Sequence, residues 1–231
     1  MIDFLTQSAY FGVLLTIGAY AIGHAVRNRT GKDIANPLLI AMLIVMAVLL
    51  AFDIDYSVYE KGAQTVSWLL TPATVCLALP LYRTIDLVRK NVGAIAVGIL
   101  SGVLSSAVLI TLIVVIFRLD AVQYATLLPK SVTTAVGMGI SEELGGIPAL
   151  TVASIVITGL CGNLTARFVC RVCRVTDPVA IGLAIGASCH ALGTAKALEM
   201  GEVEGAMSSI AVAVCGLVTV GVAPIMLHLL A

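Results

Sequence analysis

A chain of 231 residues that is 60% hydrophobic and only 11% charged is not an ordinary soluble domain, in which about a quarter of residues carry charge. Its mean hydropathy of +1.09 marks an integral membrane protein. Thirteen basic residues balance thirteen acidic ones, so the chain lacks the basic surplus that a nucleic-acid partner requires.

Apolar runs are expected at 6–26, 36–52, 66–82, 92–117, 148–170 and 205–230. All but the second and third come close to the ~20 residues that a crossing helix needs. The first run follows Asp3 rather than a basic stretch, and its length predicts a retained helix rather than a cleaved signal. A bacterial inner membrane is the expected home. Asn36-Pro37 opens the second run with a proline at a helix N-terminus. Thr71-Pro72-Ala73-Thr74 and Pro80 break the third. From Leu81 to Val92, an apolar face of Leu81, Ile85 and Val88 stands against Arg83, Arg89 and Lys90, as in an interfacial connector. Gly98, Ser101, Gly102, Ser105 and Ser106 give the fourth run small faces for close helix packing. The six cysteines fall mostly in apolar runs and read as small buried hydrophobes. Cys170-x-x-Cys173 lacks the second ligand pair of a metal site.

Loop charge predicts the topology. Three basic loops (Arg27, Arg29 and Lys32; Arg83, Arg89 and Lys90; Arg167, Arg171 and Arg174) belong in the cytoplasm by the positive-inside rule. Asp53, Asp55 and Glu60 lie outside, and so does the N-terminus. The runs at 92–117 and 148–170 then share an outer end. The segment 124–146 between them has to enter and leave on one side, as a re-entrant hairpin. The segment 178–203 either spans or re-enters. An offset of 60 residues favours re-entry. It pairs Thr134 with Thr194, Glu142 with Glu202, Gly145 with Gly205 and Lys130 with His190. Two hairpin-plus-helix units entering from opposite faces would form an inverted repeat.

Two segments mix ionisable groups, hydroxyls and helix breakers into this apolar context. Hydrocarbon tolerates them only against protein or a wet cavity. In the first, Pro129 breaks the chain before Lys130, Ser131, Thr133 and Thr134. A half-helix starting there would point free N–H groups and its positive dipole end inward, a setting that suits a carboxylate. Lys130 either adds its charge to that site or snorkels to the interface. In the second, Ser188, His190, Gly193, Thr194 and Lys196 surround another break. His190 either meets a substrate or a coupled proton, or is a core histidine bonded to a hydroxyl. Lys196 and Glu199 are spaced to pair with each other. Thr71 and Thr74 form a third polar break that either lines the same cavity or is a packed kink. Glu142, Glu143, Glu202 and Glu204 read as solvated loop acids, and Trp68 as an interfacial anchor.

At these residues the chain resembles the LrgB/CidB family of membrane proteins, which includes YohK-like proteins and the plastidial glycolate/glycerate translocator. The likeness rests on Leu69-Leu70-Thr71-Pro72-Ala73-Thr74-Val75, Leu128-Pro129-Lys130-Ser131-Val132-Thr133-Thr134 and Gly145-Gly146-Ile147-Pro148-Ala149-Leu150-Thr151. It continues through Ser188-Cys189-His190-Ala191-Leu192-Gly193-Thr194-Ala195-Lys196-Ala197-Leu198-Glu199 and Glu204-Gly205-Ala206-Met207-Ser208-Ser209. The order and spacing agree over essentially the whole chain. Ala135 stands where the family usually has proline. Lys196 stands where it usually has arginine, which removes the two-pronged carboxylate contact. The resemblance implies transport of small carboxylates: pyruvate in bacterial relatives, glycolate and glycerate in the plastid. It also implies a small membrane partner of the LrgA/CidA type, and a holin/antiholin-like role in murein hydrolase control and lysis.

The expectation is an all-α polytopic membrane protein. It has about six to seven spanning helices, plus one or two re-entrant or broken half-helix hairpins that admit an inverted repeat. Residues 1–65 would supply N-terminal helices for scaffold or oligomer contact. Residues 66–231 would form a transport core, broken near 71–80, 127–143 and 186–200. The leading function is a secondary transporter of small monocarboxylates, with no bound cofactor or metal and with H⁺ or Na⁺ coupling open. The alternative is a holin/antiholin-like channel. An intramembrane hydrolase is not expected, because adjacent residues such as Lys130 and Ser131 are poorly placed as a base–nucleophile pair on a helix. The expected partners are the carboxylate, the bilayer, the LrgA/CidA-type protein and a second copy of the chain.

Overall fold

The computed structural model describes Ser8, residues 10–31, 35–69, Pro72, Val75, Cys76 and 78–229. Every regular element among them is an α-helix. The chain divides into two compact units between residues 76 and 77, rather than at the expected boundary of 65 and 66.

In the first unit, α1 (Phe11–Thr30) packs on α2 (Pro37–Ala51) and α3 (Tyr56–Trp68). Gly31, at φ 63, ends α1. Asn36 starts α2 by accepting the Leu38 N–H at 2.8 Å, ahead of Pro37 in the first turn. Thr16 Oγ1 lies 2.8 Å from the Tyr59 hydroxyl and ties α1 to α3. Asp55 caps α3, and hydrogen bonds from Ser57 lower its pKa.

The second unit begins with two short helices, α4 (Ala78–Arg83) and α5 (Ile85–Lys90), at the expected connector. α6 (Val92–Phe117) follows. Then come α7 (Ala121–Leu127) and α8 (Thr134–Glu143), and the long α9 (Pro148–Val172), α10 (Pro178–Met200) and α11 (Glu202–His228). By length and composition, α6, α9, α10 and α11 are the described helices that could cross a membrane. The other spans expected fall on α1, on the shorter apolar α2 and on the third apolar run. The 15 residues of α2 extend only about 22 Å, less than a hydrocarbon core. His24, Arg27 and Arg29 crowd the later turns of α1. Part of the third apolar run lies outside the described residues.

α10 is not straight. His190 has φ 44 and ψ −144, outside the helical region, and the chain reverses there. A Cβ placed on Gly193 would lie 2.9 Å from Ile185 Cγ2, although eight residues of straight helix span about 12 Å. Gly182 abuts Met207 while Leu198 abuts Gly205, so the two halves run side by side and return to the same end. The segment left open by charge alone is therefore a re-entrant hairpin.

The 121–143 segment is also a hairpin. Thr151 of α9 touches both of its arms, with Oγ1 2.9 Å from the Thr126 carbonyl and 2.7 Å from Ser141 Oγ. Each unit of the repeat is thus two half-helices and a long helix. The first hairpin enters from the end where α9 begins, the second from the end where α9 finishes. The tips fall at 128–133 and at His190, matching the 60-residue offset.

α6 and α11 frame the core. The buried stripe Ile95, Ile99, Val103, Ala107, Ile110, Val114 of α6 has helical spacing. Its first half packs with Leu183 and Ala187 of the second hairpin and Met207 of α11. Its second half packs with Tyr124, Leu128 and Ile140 of the first hairpin and Ala223 of α11. In lipid such contacts gain little from leaving water, so close fit and hydroxyl pairs hold the helices.

Candidate functional site

Both tips meet α9 at one level. Ile155, fully buried, faces Gly137 of the first hairpin and lends its carbonyl oxygen to His190 Nε2 of the second, at 2.9 Å. A carbonyl only accepts, so Nε2 carries the proton. Asn163 Nδ2 donates to the Leu192 carbonyl at 2.7 Å, just past the break. Glycine is required beneath this tip. A methyl at Gly159 would sit 2.6 Å from His190 Cε1, and one at Gly162 would strike Cys189 Sγ.

Beside the tips a cavity of about 680 Å³ opens between α6 and the entering arm of the second hairpin. Asn91 and Asp177 stand at its mouth, at the ends of α6 and α10 that lie with the basic residues Arg89, Lys90 and Arg174. Lys130, Ser131 and Ser188 line it nearer the tips, together with Ser101, Ser105 and Ser106 of α6. Lys130 Nζ donates to Ser131 Oγ at 3.2 Å, and Ser131 Oγ lies 3.0 Å from Ser106 Oγ. Ser101 and Ser105 donate to the carbonyls of Gly98 and Gly102, and Ser188 to that of Ala184. Among the described residues Lys130 is the one basic side chain lining the cavity, and Asp177 the one acidic side chain. Asp177 is engaged in capping α10, where it accepts the Ala180 N–H at 2.9 Å. The cavity therefore presents one amine and several hydroxyls to an occupant, with an apolar remainder.

The candidate residues separate into groups. Lys130, Ser131 and Ser188 line the cavity. Thr133 and Thr134 begin α8, half-buried and off the cavity wall. His190 is 3% exposed and turned toward α9. Gly193 packs on Cys189 and Ile185. Thr194 Oγ1 donates to the His190 carbonyl and so accepts from Ser208, at 2.8 Å. Lys196 is 4% exposed and contacts Glu199 at 3.1 Å. Thr71 and Thr74 lie outside the described residues. The α6 serines, expected as packing positions, line the cavity, and their one-face spacing is the sequence signal for its wall. Among the described residues no cluster of side chains fits a metal ion.

The chain matches the profile of a family described as LrgB-like over residues 16–229. Proteins named antiholin-like protein LrgB from Bacillus mycoides, Bacillus cereus and Bacillus anthracis are each 36% identical to it over 220 residues. That alignment covers 95% of this chain and 96% of theirs. No solved structure matches.

Proposed function

Because the chain belongs to the LrgB-like family, and because that family assignment leaves its chemistry open, we propose that it is a membrane carrier for small monocarboxylates. The observation that carries this reading is the cavity at the hairpin tips, with Lys130 as its single cation. Discontinuous helices meeting near mid-membrane in an inverted repeat are a recurring carrier architecture. An ionisable residue at that depth is functional by default. The substrate carboxylate would sit against Lys130 Nζ, with Ser131, Ser106 and Ser188 hydroxyls as further donors. Its small organic remainder would face the alanines and glycines of α6 and α10. A single positive charge selects a monoanion, since a second negative charge would stay uncompensated in a poorly solvated site. The basic face, onto which the cavity opens, would be cytoplasmic by the positive-inside rule, in a bacterial inner membrane.

The names of the relatives favour a second reading, an antiholin-like membrane protein working with a small LrgA-type partner. Uptake of labelled pyruvate, glycolate and glycerate into proteoliposomes of the purified protein separates the two. Saturable uptake supports the carrier, and its response to an imposed pH or Na⁺ gradient identifies the coupling ion. Unsaturable leakage of unrelated solutes would overturn the carrier in favour of a pore. Absence of all flux, with binding to the small partner, would favour the antiholin-like role.

A further inference from the structure

Two more spaces lie along α6, one beside the deep end of the main cavity and one beyond it. The first is a void of about 20 Å³, walled by Ser106, Ser131, Ala187, Thr219 and Ala223 among others. This is room for about one water. Ser106, Ser131 and Ala187 line both the cavity and the void, so the Ser106–Ser131 pair is the partition between them. The second is an opening of about 200 Å³ at the opposite face, where Val114, Arg118, Asp120, Tyr124 and Leu227 line it. Along α6 the cavity reaches Leu109, the void spans 103–107 and the outer opening covers 114–118.

A packed layer separates the void from the outer opening. Ile110, Tyr124, Leu128, Ile140 and Ala223 belong to it. Tyr124 belongs to both the layer and the outer opening, yet is 1% exposed. Its hydroxyl lies 2.7 Å from Thr111 Oγ1. Thr111 spends its own proton on the Ala107 carbonyl, at 2.9 Å, so the tyrosine is the donor. This bond fixes the largest side chain of the layer across the path, from the first hairpin onto α6.

We infer that the three spaces are one translocation path, partitioned at Ser106–Ser131 and closed toward the opposite face by Tyr124 on Thr111. The inference rests on the carrier reading for its purpose, but its geometry is tested without transport. On this path an anion from the basic face reaches Lys130 and stops. Passage onward needs Tyr124 to leave Thr111, after which the route ends beside Arg118.

The test is sided labelling of Ser106→Cys in membrane vesicles of known orientation, with a membrane-impermeant sulfonate methanethiosulfonate. Labelling of the parent protein is subtracted for its native cysteines. The expected result is labelling from the basic face, and at least about tenfold slower labelling from the opposite face. Tyr124→Phe, which removes only the hydroxyl, should raise the opposite-face rate by about threefold, the equilibrium worth of one interhelical hydrogen bond in a membrane. Tyr124→Ala should raise it further, and Thr111→Val should reproduce the Phe effect if the alanine variant does not fold. Equal labelling from both faces with Tyr124 intact would overturn the proposal. So would an opposite-face rate that neither Tyr124→Phe nor Thr111→Val changes. Sided labelling in a protein without carboxylate uptake would remove the carrier reading and leave the closure standing. Saturable uptake without sided labelling would remove the closure alone.

Discussion

Replacing Lys130 by methionine keeps much of its volume and removes its charge. The structure sets the scale of the effect. Among the described residues Lys130 is the only cation on the cavity wall, and none of their acidic side chains pairs with it there. A carboxylate about 4 Å from the amine would gain about 1 kcal/mol if the cavity is as wet as bulk water, and about 4 kcal/mol at the screening typical near protein surfaces. Losing that contact corresponds to a factor between about five and a thousand in affinity. KM for the carboxylate in proteoliposome uptake should therefore rise at least about fivefold in Lys130→Met. Lys130→Arg should retain much of the affinity, because the charge remains. Protein yield and monodispersity should not change, since the amine bonds only to a neighbouring serine hydroxyl. An unchanged KM in Lys130→Met would refute the single-cation site, whatever the maximal rate.

Lys196→Met is expected to leave KM near the wild-type value, because this lysine contacts Glu199 and lies off the cavity; a rise matching that of Lys130→Met would place it in the site. Gly162→Ala should destabilise the protein by about 1–3 kcal/mol by forcing Cys189 away, whereas Gly93→Ala, with nothing within 4 Å, should be neutral or better. Thermal unfolding in detergent compares the two, and equal behaviour would contradict the close contact of α9 with the second tip. His190→Gly should be more stable than His190→Ala in the same assay. Both lose the bond to Ile155, but only glycine adopts φ 44 without a penalty of about 1–2 kcal/mol; the reverse order would contradict the backbone break.

Much of the architecture was legible because charge constrains topology. Arg89 and Lys90 before α6, and Arg171 and Arg174 at the end of α9, demand that 124–146 return to its own side, and Pro129 marks where it turns. The second hairpin was not decidable from the sequence. Its 23 residues suit a span as well as a fold-back, and neither proline nor glycine stands at the break. His190 itself takes the positive φ, fixed by a carbonyl on another helix. The same long-range contact hid the direction of the imidazole, which periodicity along α10 cannot reveal. The α6 serines were ambiguous for another reason. Ser101 and Ser105 satisfy their hydroxyls on their own helix, so their residue types do not distinguish a packing face from a cavity wall.

The two tips are equivalent in the repeat and opposite in chemistry. The first is a turn of several residues whose lysine reaches the cavity. The second is a single-residue break whose histidine is buried against α9. Ile155 stands between them, packed on Gly137 and bonded to His190. Separating the second tip from α9 breaks the His190 and Asn163 hydrogen bonds and exposes a groove shaped by Gly159 and Gly162. Separating α6 from the first hairpin breaks two hydroxyl pairs, Ser106–Ser131 and Thr111–Tyr124. Interhelical hydrogen bonds in membranes are worth only about 0.6 kcal/mol on average. The second separation also parts the packing of Ala107, Ile110 and Val114. Close packing of this kind is part of what holds membrane helices together. Each joint thus rests on two hydrogen bonds and close packing, and the cavity, the void and the outer opening lie along the one between α6 and the first hairpin.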